Sequence, residues 1–163
     1  MIITKRGEQI GEITDLAQVG QAALDFEVTN LDNKQVTLKD YAGKKVLVSV
    51  FPDINTSVCD TQTRHFFEEA SKHEDLTIVN LSNNTVEELA NWCATAGIEV
   101  DMLSDANHSF ADAYGLLISG VDLLERSVFV IDRDGQLVYK EVLSEITDEP
   151  DYDAVLAAAD ALN

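Results

Sequence analysis

The stretch VSVFPDINTSVCDTQTRHFFEEA, residues 48–70, decides how this chain folds. It begins inside an apolar, β-branched run, Val46 to Phe51, that does not alternate, as expected of a strand covered on both faces. Pro52 stops the run, and the spacing beyond it predicts an amphipathic helix over about Ser57 to His73. One of only two cysteines in the chain, Cys59, falls in the first turn of that helix.

Outward from this unit the pattern stays regular. LTIVNLS predicts the next buried strand, and TVEELANWCATAG a second helix, opened by a Thr85–Glu88 capping box and closed at Gly97. EVDMLSD predicts a short strand and HSFADAYG a short helix. RSVFVIDRDGQLVYKEVL predicts two strands joined around Asp134-Gly135. DEPDYDAVLAAADAL predicts a closing helix to Leu162 with Pro150 in its first turn. Toward the N-terminus, MIITKRGEQIGEI reads as a hairpin turning near Gly7, FEVTN as a short strand, and QVTLKDYAG as a strand and one helical turn ended by Gly43. DRDG, residues 132–135, lacks the ligands of a calcium loop and reads as a turn. This order implies an α/β chain with a thioredoxin-like fold: a mixed central sheet, helices on both faces and an N-terminal β-hairpin.

With 163 residues, 45% of them hydrophobic, and only two prolines, residues 1–163 are expected to form a single domain around one core. No apolar run reaches the roughly 20 residues of a membrane helix, and no signal peptide is evident, so a cytoplasmic protein is expected. Eleven basic against 30 acidic residues, a formal charge of −19, argue against nucleic acid and anionic membranes as partners. Two thiols cannot build a four-thiolate zinc site, and a structural disulfide does not suit a reducing compartment. They are either inert core residues or redox chemistry.

A cysteine in the first turn of a helix meets unpaired amides and the positive end of the helix dipole, both of which favour the nucleophilic thiolate. Thr56 lies three residues before it, close enough to place a hydroxyl beside the sulfur. Pro52 ends the strand without offering a competing N–H. Between Pro52 and Cys59 the segment reads as small and polar, with room for a small substrate.

The string PDINTSVC matches the pattern Pro-x-x-x-Thr-x-x-Cys, and VCDTQTR continues it. In these motifs, in the hairpin, the second cysteine and the RSVFVID strand, the chain resembles the thiol peroxidase branch of the peroxiredoxins, atypical two-cysteine type, over nearly its full length. The resemblance implies that Cys59 is the peroxidatic cysteine, which attacks a hydroperoxide and becomes a sulfenic acid. Thr56 is then expected to hydrogen-bond sulfur and peroxide, Pro52 to cover the pocket, and Arg126 to hold the thiolate ionised and polarise the peroxide. Cys93 takes the place of the resolving cysteine, closing an intramolecular disulfide that thioredoxin reduces. A homodimer is also implied, and no metal, haem, flavin or nucleotide; neither GxGxxG nor GxxxxGK[ST] occurs. The branch commonly carries proline where Ser57 stands and APDF where Ala22 to Phe26 read AALDF, which alters the helix start and the pocket edge.

Two cysteines near the ends of different helices are expected to lie farther apart than the roughly 4.4–6.8 Å between Cα atoms that a disulfide needs, so oxidation should unwind both sites. Three other readings stand beside the peroxidase. A thioredoxin-type disulfide oxidoreductase would want Cys-x-x-Cys, which Asp60-Thr61-Gln62 does not supply. A non-catalytic redox sensor or relay would use the same two thiols. A binding module with a decayed site would not keep Pro52, Thr56, Cys59 and Arg126 together.

Overall fold

β5 (Lys45–Val50) runs inside the sheet with every residue buried. The computed structural model describes residues 1–162. Leu47 shares one apolar layer with Val128, Val130, Phe66, Val155 and Leu156. Val46, Val48 and Val50 belong to the opposite layer, with Phe110, Tyr114, Phe129 and Ile131. Each such side chain withdrawn from water contributes about 2 kcal/mol, so the cover on both faces, more than intrinsic strand preference, holds β5 in place.

The other elements are β1 (Ile2–Lys5), β2 (Glu8–Glu12), β3 (Glu27–Asn30), β4 (Gln35–Thr37), α1 (Ser57–Ala70), β6 (Leu76–Ser82), α2 (Val86–Ala96), β7 (Asp101–Ser104), α3 (Ser109–Tyr114), β8 (Ser127–Ile131), β9 (Leu137–Val142) and α4 (Tyr152–Asp160), with a single 3-10 turn at Leu38–Tyr41. β1 and β2 pair as a separate hairpin, and seven strands form one sheet in the order β4-β3-β7-β6-β5-β8-β9. β5, β6 and β7 are parallel, while β3, β8 and β9 run antiparallel to their neighbours. α1 and α4 contribute to the Leu47 layer, and α3 to the opposite one. This is the thioredoxin-like α/β fold, with a mixed sheet, helices on both faces and an N-terminal hairpin. No helix among the described residues is long and apolar enough to cross a membrane.

Local chemistry explains where the elements start and stop. The Thr85–Glu88 capping box opens α2, and Gly97 closes it with φ 70°. α1 ends at Ala70 rather than His73, because the Ser71 hydroxyl turns back to the Glu68 carbonyl and the chain continues in a tight turn from Lys72 N–H to the Glu69 carbonyl. Pro150 precedes the last helix instead of sitting in its first turn. The cap is Asp151, whose carboxylate accepts from Ala154 N–H at 3.1 Å, and the helix stops at Asp160 short of Leu162. Between β8 and β9, Asp132 accepts from both Asp134 N–H and Gln136 N–H, with Gly135 in the left-handed region.

Strand pairing and the N-terminal hairpin place Arg126 and the chain around it. Val50 pairs with Ser127, so Arg126 lies level with the end of β5 where the chain leaves the sheet. The hairpin clamps the segment after β9, with Thr4 N–H on the Ser144 carbonyl at 2.8 Å and Ile146 N–H on the Thr4 carbonyl at 2.9 Å.

Candidate active site

Cys59 is the third residue of α1, and Thr56 is the cap. The Thr56 hydroxyl makes no capping bond; it donates back to the Asp53 carbonyl at 2.8 Å. Its proton is thus taken by a backbone oxygen, leaving its lone pairs for an incoming donor. With no side-chain cap, the positive end of α1 is left for an anion formed beside it.

The loop from Pro52 to Thr56 is fixed from below by Asn84. Its Oδ1 accepts from Ile54 N–H at 2.9 Å and from the Ser82 hydroxyl at 2.8 Å, while its amide donates to Asp53 Oδ1 at 3.1 Å. Asp53 Oδ1 also accepts from Asn55 N–H at 3.0 Å. Pro52 is buried at the start of this loop.

Arg126 reaches the helix through Gln62. It is 2% exposed; Nε donates to the Ile146 carbonyl at 3.0 Å and Nη1 to Gln62 Oε1 at 2.8 Å. Gln62 is buried and donates in turn to Ser49 Oγ at 2.7 Å and to the Val50 carbonyl at 3.3 Å. Gln62 stands three residues after Cys59, one turn along the same side of α1. Among the described residues no carboxylate forms an ion pair with Arg126. A buried guanidinium held by neutral acceptors is a costly arrangement unless an anion completes it.

The space expected beside Cys59 is closed. Cys59 is 0% exposed and packs in an apolar cluster with Phe51, Ile54, Leu89 and Met102. Ile54 is the physical reason: the segment between Pro52 and Cys59 is not uniformly small, and this side chain is buried against the sulfur's cluster. A hollow of about 930 Å³ lies instead between the far half of α1 and β6, lined by Phe66, Phe67, Leu76 and Asn80 among others.

Cys93 lies in the last turn of α2, half-buried, and packs against the same cluster together with Trp92 and Val100. Burial pushes its thiol above the ordinary value, and the Val100 N–H on the sulfur opposes that in part. Its carbonyl accepts from Gly97 N–H and Ile98 N–H, a typical glycine-terminated helix end. Both thiols are free. The fold thus brings Cys59 and Cys93 to one cluster and Arg126 to the helix that carries Cys59. Among the described residues, no three or more His, Cys, Asp or Glu side chains gather as a metal-binding group.

Residues 19–140 match the model of the AhpC/TSA family. The chain belongs to this family. It is 48% identical over 155 residues to a thiol peroxidase of Staphylococcus aureus (strain MRSA252), covering 94% of this chain and 90% of that one. A thiol peroxidase of Bacillus subtilis (strain 168) is 41% identical over 162 residues, covering 98% and 97%. The crystal structure of a peroxiredoxin-like protein from Aquifex aeolicus superposes with a TM-score of 0.91 at 25% identity, over 99% of this chain and 97% of that one. Within the AhpC/TSA family the chain therefore falls in the thiol peroxidase branch.

For this AhpC/TSA member, sequence reasoning misses the residues that do the holding. Gln62 is visible inside CDTQTR, and its spacing from Cys59 is the available clue. Asn84 carries none: its role comes from a contact across 30 residues of chain.

Proposed function

We propose that the protein is a thiol-specific peroxidase in which Cys59 is the peroxidatic and Cys93 the resolving cysteine. The Cys59 thiolate attacks the terminal oxygen of a hydroperoxide; the S–O bond forms, the O–O bond breaks, and the leaving alkoxide or hydroxide takes a proton. Cys93 thiolate then attacks the sulfenic sulfur, forming the disulfide and releasing hydroxide that becomes water. A thioredoxin-type dithiol returns both thiols by exchange. Hydrogen peroxide and organic hydroperoxides are the substrate class.

The observation that carries this reading is the buried Arg126, whose guanidinium forms no ion pair among the described residues and is bonded through Gln62 to the helix that carries Cys59. Such a cation, prepositioned in a site closed to water, stabilises an anion where charge develops. Thr56 Oγ1 accepts a hydrogen bond from the peroxide O–H, and Pro52 closes the pocket wall. Because Cys59 is buried, only a slender substrate reaches it, and the loop held by Asn84 governs that access. A pair of cysteines that cycles between thiol and disulfide suits a reducing compartment, which supports a cytoplasmic location. Exposed apolar side chains at Leu16 and Val19 support a homodimer, which sedimentation measures. Residues 1–163 act as one domain.

Steady-state consumption of hydrogen peroxide and of an organic hydroperoxide, with thioredoxin and its reductase, tests the assignment. Sustained turnover identifies an enzyme; oxidation that stops after one equivalent identifies a sensor. Cys93→Ser should complete one turnover and then accumulate sulfinic acid on Cys59, seen as a mass gain of two oxygens. Arg126→Ala should slow the first step by about 10²–10³-fold. Arg126→Lys should recover little of it, since an ammonium lacks the fork that spans Gln62 and Ile146. Stopped-flow traces of sulfenate formation measure both variants, and a native rate in either removes the role given to the guanidinium.

A further inference from the structure

Asp60 and Trp92 each stand next to one of the two cysteines, and they are bonded to each other. Trp92 Nε1 donates to Asp60 Oδ1 at 2.8 Å. Arg64, one turn along α1, places Nε on the other oxygen, Asp60 Oδ2, at 2.9 Å. Its guanidinium carbon also lies 5.4 Å from the centroid of the Trp92 ring. Three side chains from two helices thus close a ring of contacts: carboxylate to indole, carboxylate to guanidinium, guanidinium to indole face.

The ring spans the two helix ends that the cysteine spacing is expected to unwind on oxidation, and neighbouring backbone moves with each cysteine. A displacement of Cys59 carries Asp60 with it, and a displacement of Cys93 carries Trp92. The 2.8 Å bond between them does not survive such a shift.

We propose that Asp60, Arg64 and Trp92 form a latch between α1 and α2 whose opening sets how fast Cys93 reaches oxidised Cys59. The inference rests on the peroxidatic and resolving assignments above. Two fates then compete for the Cys59 sulfenate. Cys93 thiolate attacks its sulfur, the S–S bond forms, the S–O bond breaks and hydroxide leaves as water. Alternatively a second hydroperoxide transfers an oxygen, giving sulfinic acid and releasing alcohol or water. A closed latch delays the first fate and leaves the second unchanged, so the latch sets the peroxide dose that inactivates the protein. Asp60, Arg64 and Trp92 are positioning residues; none touches the reacting atoms.

Trp92→Phe removes the N–H donor and one fused ring while keeping an aromatic face near Arg64, and Asp60→Ala removes the same bond with the indole left intact. In the reduced protein, amide exchange should quicken about tenfold over residues 57–63 and 91–97 and stay native elsewhere, the scale expected for losing one charge-assisted hydrogen bond. After one equivalent of hydroperoxide, sulfenate should form at the native rate while the disulfide forms about tenfold faster. The sulfinic fraction at excess peroxide should fall in proportion. Asp60→Ala should behave alike, and the double variant should add nothing further. Should Trp92→Phe fold poorly, Asp60→Asn, which weakens the same bond by removing its charge, should shift exchange and disulfide formation in the same direction. Native exchange and a native disulfide rate in these variants overturn the latch. A native chain that forms no sulfenate at Cys59 overturns the functional assignment instead, and the exchange measurement still decides whether the ring holds the two helices together.

Discussion

Cys59→Ser should fold and should consume hydroperoxide at no more than about 10⁻⁴ of the native rate, because an alcohol is neither ionised nor nucleophilic where a thiolate is both. The residue is fully buried among Phe51, Ile54, Leu89 and Met102, so the substitution also places a hydroxyl in an apolar cluster. That costs about 1–2 kcal/mol of stability. Circular dichroism and the urea midpoint separate the two effects: a modest drop in midpoint with complete loss of turnover is expected. If instead Cys59→Ser keeps a substantial fraction of the activity while Cys93→Ser abolishes the first oxidation, the peroxidatic role belongs to Cys93.

The second large effect comes from a residue outside the proposed chemistry. Glu125 is 0% exposed, with Oε1 accepting from Arg126 N–H at 2.6 Å and Oε2 without a partner among the described residues. Burial pushes its carboxyl up from 4.5 to about 7; the bond to Arg126 N–H and the Arg126 charge pull the other way, and Glu145 adds to the rise. Below pH ~4.5 both folded and unfolded chains hold the proton, and the group costs nothing. As pH rises from there toward 7, the unfolded chain releases its proton while the folded one keeps it, so stability falls and then levels above 7. The span corresponds to about 3 kcal/mol. Glu125→Gln keeps the acceptor for Arg126 N–H and cannot ionise. It should match the native protein near pH 4.5 and exceed it by about 3 kcal/mol at pH 8, measured by urea unfolding across that range. A stability difference that does not change with pH would show that Glu125 does not titrate in this window.

The legibility of the sequence divides along a physical line. Where the signal is periodic or local, it carries through. The unbroken apolar run of β5, the Thr85–Glu88 box, the glycine after α2 and the Asp134-Gly135 turn all arise from a few neighbouring residues. Helix ends are less legible, since Asp151 outcompetes Pro150 as a starting point only through its carboxylate bond to Ala154 N–H. In the candidate site, the residue types at Pro52, Thr56, Cys59, Cys93 and Arg126 are visible as a motif. Their setting is not. Burial of Cys59 depends on Leu89 and Met102, from a helix and a strand far along the chain. The grip on Arg126 depends on the Ile146 carbonyl, which the N-terminal hairpin helps to place.

Gln62 holds Arg126 with an amide oxygen and Ser49 with the amide nitrogen of the same group. Deamidation there would replace the nitrogen by a second oxygen and add a negative charge. The guanidinium would acquire a permanent neighbour of opposite sign, and the Ser49 hydroxyl would have to reverse its role from acceptor to donor. An aged preparation could thus lose potency through one hydrolysed side chain while its two sulfurs, its mass to within a dalton and its helical content all looked intact.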